Sequence, residues 1–136
     1  MDNLIRINQG LIELKDKGIF IMTILKSKME ANPKLFSNVE FNHAELSFVI
    51  GGIKYILKLR AMPSELIRKI TGYLTLYLPY EKDGKPCLFE SISYPYDVFG
   101  NIFINELGVD ISDFYQIFSN QIASTYGENE QPIFID

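Results

Sequence analysis

Gly51-Gly52 stands between two runs in which apolar and polar residues alternate, Ala44 to Ile50 and Ile53 to Leu59. Alternation of period two marks a strand buried on one face, and a glycine pair between two such runs marks a two-residue hairpin turn. Closing the chain there pairs Ile50 with Ile53, Phe48 with Tyr55, Leu46 with Leu57 and Ala44 with Leu59, all on one face. The opposite face pairs Val49 with Lys54, Ser47 with Ile56, Glu45 with Lys58 and His43 with Arg60. A slip by one residue would send every apolar side chain to the other face, so the register is well specified. One antiparallel sheet face must therefore find a cover.

Two amphipathic segments supply it. In Asn3 to Glu30, Leu4, Ile7, Leu11, Leu14, Ile21 and Leu25 follow the three- and four-residue spacing of one helical stripe, with Gly18 in the slot that lacks a side chain. Each of Gly10 and Gly18 costs about 1 kcal/mol against alanine inside a helix. Two forms stay open: one long helix, or a break near Asp16-Lys17-Gly18. The stripe either packs on the sheet or forms a dimer seam. Asn32-Pro33 ends the helix, because the residue before proline is driven out of the α region.

Near the other end, Ile111, Phe114, Tyr115, Phe118, Ile122 and Tyr126 form a second stripe. Asp110 caps it, Asp113 lies in the first turn where the helix dipole favours negative charge, and Gly127 is its stop. Residues 127–136, GENEQPIFID, read as a tail that either moves freely or adds to a sheet edge as a strand.

Between the helices lie Pro63-Ser64, expected to open a short helix over SELIRKI, and then a stretch holding five of the eight tyrosines, Tyr73 to Tyr96. Asp83-Gly84 is its turn. A four-residue loop, Lys82 to Lys85, sets Leu78 beside Phe89 and Leu76 beside Ser91; a three-residue loop, Lys82 to Gly84, sets Leu78 beside Leu88, Leu76 beside Glu90 and Leu74 beside Ile92. The second separates apolar from polar better and is preferred. It turns Glu90 inward and leaves Tyr73, Thr75, Tyr77, Pro79, Cys87, Phe89, Ser91 and Ser93 outward. Val98 to Asn105 then reads as a last strand.

The expected fold is thus α+β: a single antiparallel sheet of about five strands, its inner face covered by an N-terminal and a C-terminal amphipathic helix. With 136 residues, 47% of them hydrophobic and 22% charged, the chain suits one domain that needs neither metal nor disulfide. The lone Cys87 and the absence of an export signal at the N-terminus point to the cytoplasm.

Motifs for chemistry are sparse. His43 is the only histidine and has no nucleophile or metal partner near it in the sequence, Cys87 has only Lys85 nearby as the cationic setting that a reactive thiolate needs, and Glu81, Asp83 and Glu90 are ordinary acids of a turn and strand. No P-loop, dinucleotide fingerprint, nucleophile elbow or paired-cysteine zinc motif occurs, so neither a catalytic residue nor a cofactor is expected. A formal charge of −4 gives no global field for a phosphate backbone, and the row Lys54, Lys58, Arg60 is only a local basic strip. A non-catalytic protein-binding module is the first expectation, with Tyr73, Tyr77, Phe89, Lys54, Lys58 and Arg60 as its contact surface on the outer sheet face. Tyrosine gives large contact area with little rotamer entropy to lose. At the level of layout, such a chain is similar to small acidic α+β proteins that act as secretion chaperones or toxin-neutralising immunity proteins. The alternatives are a small-ligand sensor or enzyme whose pocket, with Glu90 inward, lies between sheet and helix, and a structural homodimer.

Overall fold

The computed structural model describes residues 2–64 and 69–126. Helix α1 spans Asp2–Glu30 and is followed by strands β1 (Ser37–Asn42), β2 (Glu45–Ile50), β3 (Ile53–Ser64), β4 (Lys69–Lys82), β5 (Lys85–Tyr96), β6 (Ile102–Ile104) and β7 (Leu107–Val109), then by helix α2 (Ile111–Thr125). The strands form one antiparallel meander in the order β1 to β7, so each pairs with its sequence neighbours. The class is α+β, as expected, with seven strands rather than five.

The β2–β3 hairpin has the expected register from Glu45 opposite Lys58 to Ile50 opposite Ile53. Gly51 and Gly52 take φ of 55° and 84°, the left-handed pair that a tight hairpin turn requires. Leu46, Phe48, Ile50, Ile53, Tyr55 and Leu57 are buried on the inner face. Against them α2 lays Phe114, Phe118 and Ile122, and Phe48 meets Phe118 edge-on at 6.0 Å between ring centres. Asp110 caps α2 by accepting the backbone N–H of Asp113 at 2.8 Å, and Tyr126 ends it with its hydroxyl donating to the Gly51 carbonyl at 2.5 Å. Gly127, the expected stop, lies outside the described residues.

The long form of α1 is the one adopted, and the reason for Gly18 is packing. A Cβ placed there would stand 2.5 Å from a Leu59 methyl and 2.6 Å from the Tyr96 hydroxyl. That hydroxyl donates to the Leu14 carbonyl at 2.6 Å, while the Tyr96 ring lies across its strand partner Gly72. Two glycines on different elements therefore make room for one tyrosine, which ties α1 to the middle of the sheet.

Four expectations are corrected. The strand drawn through His43 ends earlier: Asn42 pairs with Glu45, and His43, at φ 55°, forms the exposed turn between β1 and β2 instead of facing Arg60. The helix over SELIRKI does not begin at Pro63-Ser64, because β3 and β4 pair as far as Pro63 with Ile70 and Ser64 with Lys69; Glu65 to Arg68 lie outside the described residues. The strand Val98 to Asn105 shortens to Ile102–Ile104, since Asp97 accepts the N–H groups of Phe99 and Asn101, each at 3.0 Å, and folds the preceding residues into a turn. Asn105 and Glu106, with φ of 51° and 70°, then reverse the chain into β7.

The fourth correction reorders the tyrosine-rich hairpin. Asp83 and Gly84 alone form the turn, both left-handed, and Lys82 pairs with Lys85. Leu78 thus lies beside Phe89, as the less favoured loop implied, but only near the tip. An extra residue, Ser91, makes a β-bulge between Tyr77 opposite Glu90 and Leu76 opposite Ile92. Past it, Leu74 faces Tyr94, and Ile92, Tyr94 and Tyr96 point inward with Leu74 and Leu76. The bulge meets both demands: a two-residue turn at one end and an apolar inner face at the other.

Candidate functional site

Both helices pack on the inner face, so among the described residues no element covers the outer face of the central strands. Register places Lys54, Ile56, Lys58 and Arg60 of β3 there, with Tyr73, Thr75 and Tyr77 of β4, Glu90 and Ser93 of β5, and Glu45 and Ser47 of β2. Arg60 stands opposite Tyr73, and Ile56 opposite Tyr77. Of the expected contact residues, Tyr73, Tyr77, Lys54, Lys58 and Arg60 share this face.

Phe89 does not. Its pairing with Leu78 turns it to the other side of the ribbon, where it is exposed beyond the core. Leu88, expected inward, faces outward opposite Pro79, and Cys87 shares the side of Phe89. Glu90 is likewise inverted. It lies outside, where Oε2 accepts from Arg60 Nη1 at 3.2 Å and Oε1 accepts from the Ser93 hydroxyl at 3.2 Å. The two-residue turn at Asp83-Gly84 sets all of these exchanges and the bulge at Ser91 confines them to the tip of the hairpin, and nothing in the residue types around Ser91 announces an extra residue.

The outer face is held by its own contacts. Lys58 Nζ sits 3.2 Å from Glu45 Oε1 and 5.8 Å from the centre of the Tyr77 ring. The Arg60 guanidinium lies 6.0 Å from the Tyr73 ring centre while bonded to Glu90. Between the tyrosines Thr75, wholly buried although it faces outward, shares a 2.8 Å hydrogen bond with Ser93. Two of the three cations in the basic row are thus paired with carboxylates, and Lys54, opposite Val49, has no ion pair among the described residues. The strip is close to neutral, which removes its resemblance to a phosphate-tracking surface.

Glu90 is therefore not the inward polar group of a pocket, and among the described residues the side between sheet and helices holds the aromatic cluster of Phe36, Phe48, Tyr55, Tyr94, Phe114 and Phe118. Burial raises the phenol of Tyr55 and, more strongly, that of Tyr94, which donates to Gln121 Oε1; it pushes Tyr96 up to about 12. A shallow cleft of ≈ 400 Å³ opens elsewhere, between α1 and the start of the β5–β6 connection, lined by Glu13, Asp16, Lys17, Phe20 and Val98. Among the described residues no three of His, Cys, Asp and Glu stand together as metal ligands, and no helix is long and apolar enough to cross a membrane.

Comparison with protein-family models, with curated proteins and with solved structures finds no match to this chain.

Proposed function

We propose that this chain is a non-catalytic protein-binding module whose partner docks on the outer face of β2 to β5, around Tyr73 and Tyr77. One observation carries the reading: a broad sheet face bearing two half-buried tyrosines with cations stacked on them, and no described element lying over it. The tyrosines, and the Lys58 and Arg60 chains, are already held in one arrangement, so docking freezes few further rotamers. Such aromatic and arginine anchors are the side chains on which protein interfaces concentrate their energy. Charges paired in advance set orientation, and a near-neutral strip suits a mixed apolar and polar protein surface. The action on the partner would be to occlude or stabilise the surface that it covers.

The test is affinity capture from the native cell with the wild-type chain and with Tyr77→Ala. The variant is expected to keep its circular dichroism and melting transition, since Tyr77 lies outside the core, and to lose specific proteins that the wild type retains. Two indistinguishable sets of captured proteins would remove the outer face from consideration.

A further inference from the structure

The first half of α1 is an apolar surface that the fold leaves without a partner among the described residues. From Leu14 onward the helix is anchored on its own sheet, with Leu14, Ile21, Met22 and Leu25 buried. Before that point Leu4, Ile5, Leu11 and Ile12 are 66%, 56%, 40% and 52% exposed. Their spacing is symmetric: Leu4 and Ile12 lie four residues either side of Asn8, and Ile5 and Leu11 three. Positions three and four apart are the neighbours on a helical surface, so the four apolar chains surround Asn8 in one patch. Reversing the helix direction maps that patch onto itself.

We propose that this patch is the contact with a second copy of the chain, the two helices running antiparallel about a two-fold axis through Asn8. Each Leu4 then meets Ile12 of the second copy, each Ile5 meets Leu11, and the two Asn8 amides face each other on the axis. An isologous interface demands such self-complementarity, and a polar amide within an apolar contact is a recognised means of setting register. In this register residue 14 of one copy lies opposite residue 2 of the other, so the overlap ends where each helix enters its own core. The two sheets stay apart.

Area and charge both favour this occupant. The exposed apolar side chains amount to on the order of 400 Å² per copy, as large as the biggest patch of a typical monomer. With their polar flanks, two copies approach the low end of the stable range, about 1,200 Å² in total, which implies a dimer that dissociates on dilution. Arg6, Lys15 and Lys17 are matched by Asp2, Glu13 and Asp16, so this half-helix lacks the net positive charge that draws an amphipathic helix to anionic lipid.

The experiment is sedimentation velocity of the full chain over a wide concentration range, with Ile12→Asp beside it. A concentration-dependent dimer is expected, and Ile12→Asp should convert it to a monomer with an unchanged melting transition. In a Cys87→Ser background, oxidising a mixture of Leu4→Cys and Ile12→Cys chains should join one of each in preference to like pairs. A monomer at every concentration overturns the proposal, as does a dimer that Ile12→Asp leaves intact or one that crosslinks position 4 to position 4. A monomer that Ile12→Asp destabilises overturns it equally, by showing another segment of the same chain over the patch. Tyr77→Ala should leave the dimer untouched, which separates this interface from the outer sheet face.

Discussion

At Gly18 and Gly10 the same residue type answers to different causes. Gly18 faces Leu59 and the hydroxyl of Tyr96, and that hydroxyl is held by its bond to the Leu14 carbonyl. Leu59 can turn its methyls aside, but Tyr96 cannot retreat without breaking that bond. Gly18→Ala should therefore cost about 1–3 kcal/mol in spite of alanine's better helix propensity. Nothing stands within 4 Å of a Cβ at Gly10, so Gly10→Ala should add up to about 1 kcal/mol. Opposite shifts of the urea midpoint at constant slope would bear this out. From the sequence both glycines carry the same propensity cost, and a break in α1 stayed open near Gly18. Only the position of Tyr96 distinguishes a close approach from a weak point.

Among the elements, α2 is the most self-contained. Its stripe, its first-turn acid and its cap at Asp110 all lie within one short segment, and each behaves as the local chemistry requires. Asp110→Ala removes the acceptor for the Asp113 N–H and should lower stability by about 1 kcal/mol, measured by chemical denaturation, while Asp110→Asn should recover most of it. Strands are less autonomous. The β2–β3 register was readable because two adjacent glycines left one way to close the turn with a clean inner face. The β4–β5 register was not, because the turn and the inner face favour registers that differ by one residue, and the chain reconciles them with Ser91. The two-residue turn thus inverts Phe89 and Glu90 between the tip and Ser91, so Phe89 was drawn on the wrong face, whereas Lys54, Lys58, Arg60, Tyr73 and Tyr77 lie on the expected one.

For the molecule as a whole, the buried tyrosines link stability to alkaline pH. The Tyr96 phenol is raised by burial from 10.0 to about 12, and those of Tyr55 and Tyr94 are raised as well. Above about pH 10 the unfolded chain loses these protons while the folded chain keeps them, so the folded state binds more protons and stability falls as pH rises. Their contribution is complete below about pH 10 and, for Tyr96, is lost as pH climbs to about 12. Denaturant midpoints followed across this window should decline, and phenolate absorbance should appear with unfolding rather than before it. Tyr96→Phe should flatten part of the decline, and near neutral pH it should cost about 1 kcal/mol through the lost bond to Leu14.

Periodicity by itself determined that two helices would cover one face of an antiparallel sheet, because hydrophobic spacing is a local property that burial obliges the fold to respect. It determined the α2 cap and the Gly51-Gly52 turn for the same reason. Tertiary structure decided the rest: that His43 and Asn105-Glu106 reverse the chain, that Ser91 bulges, that Glu90 bonds Arg60 outside instead of lying in a pocket, and that α1 overruns its sheet, leaving Leu4, Ile5, Leu11 and Ile12 uncovered by any described residue. These outcomes depend on which distant strand lies alongside and on where the sheet ends beneath the helix. Neither is encoded in the spacing of neighbouring residues.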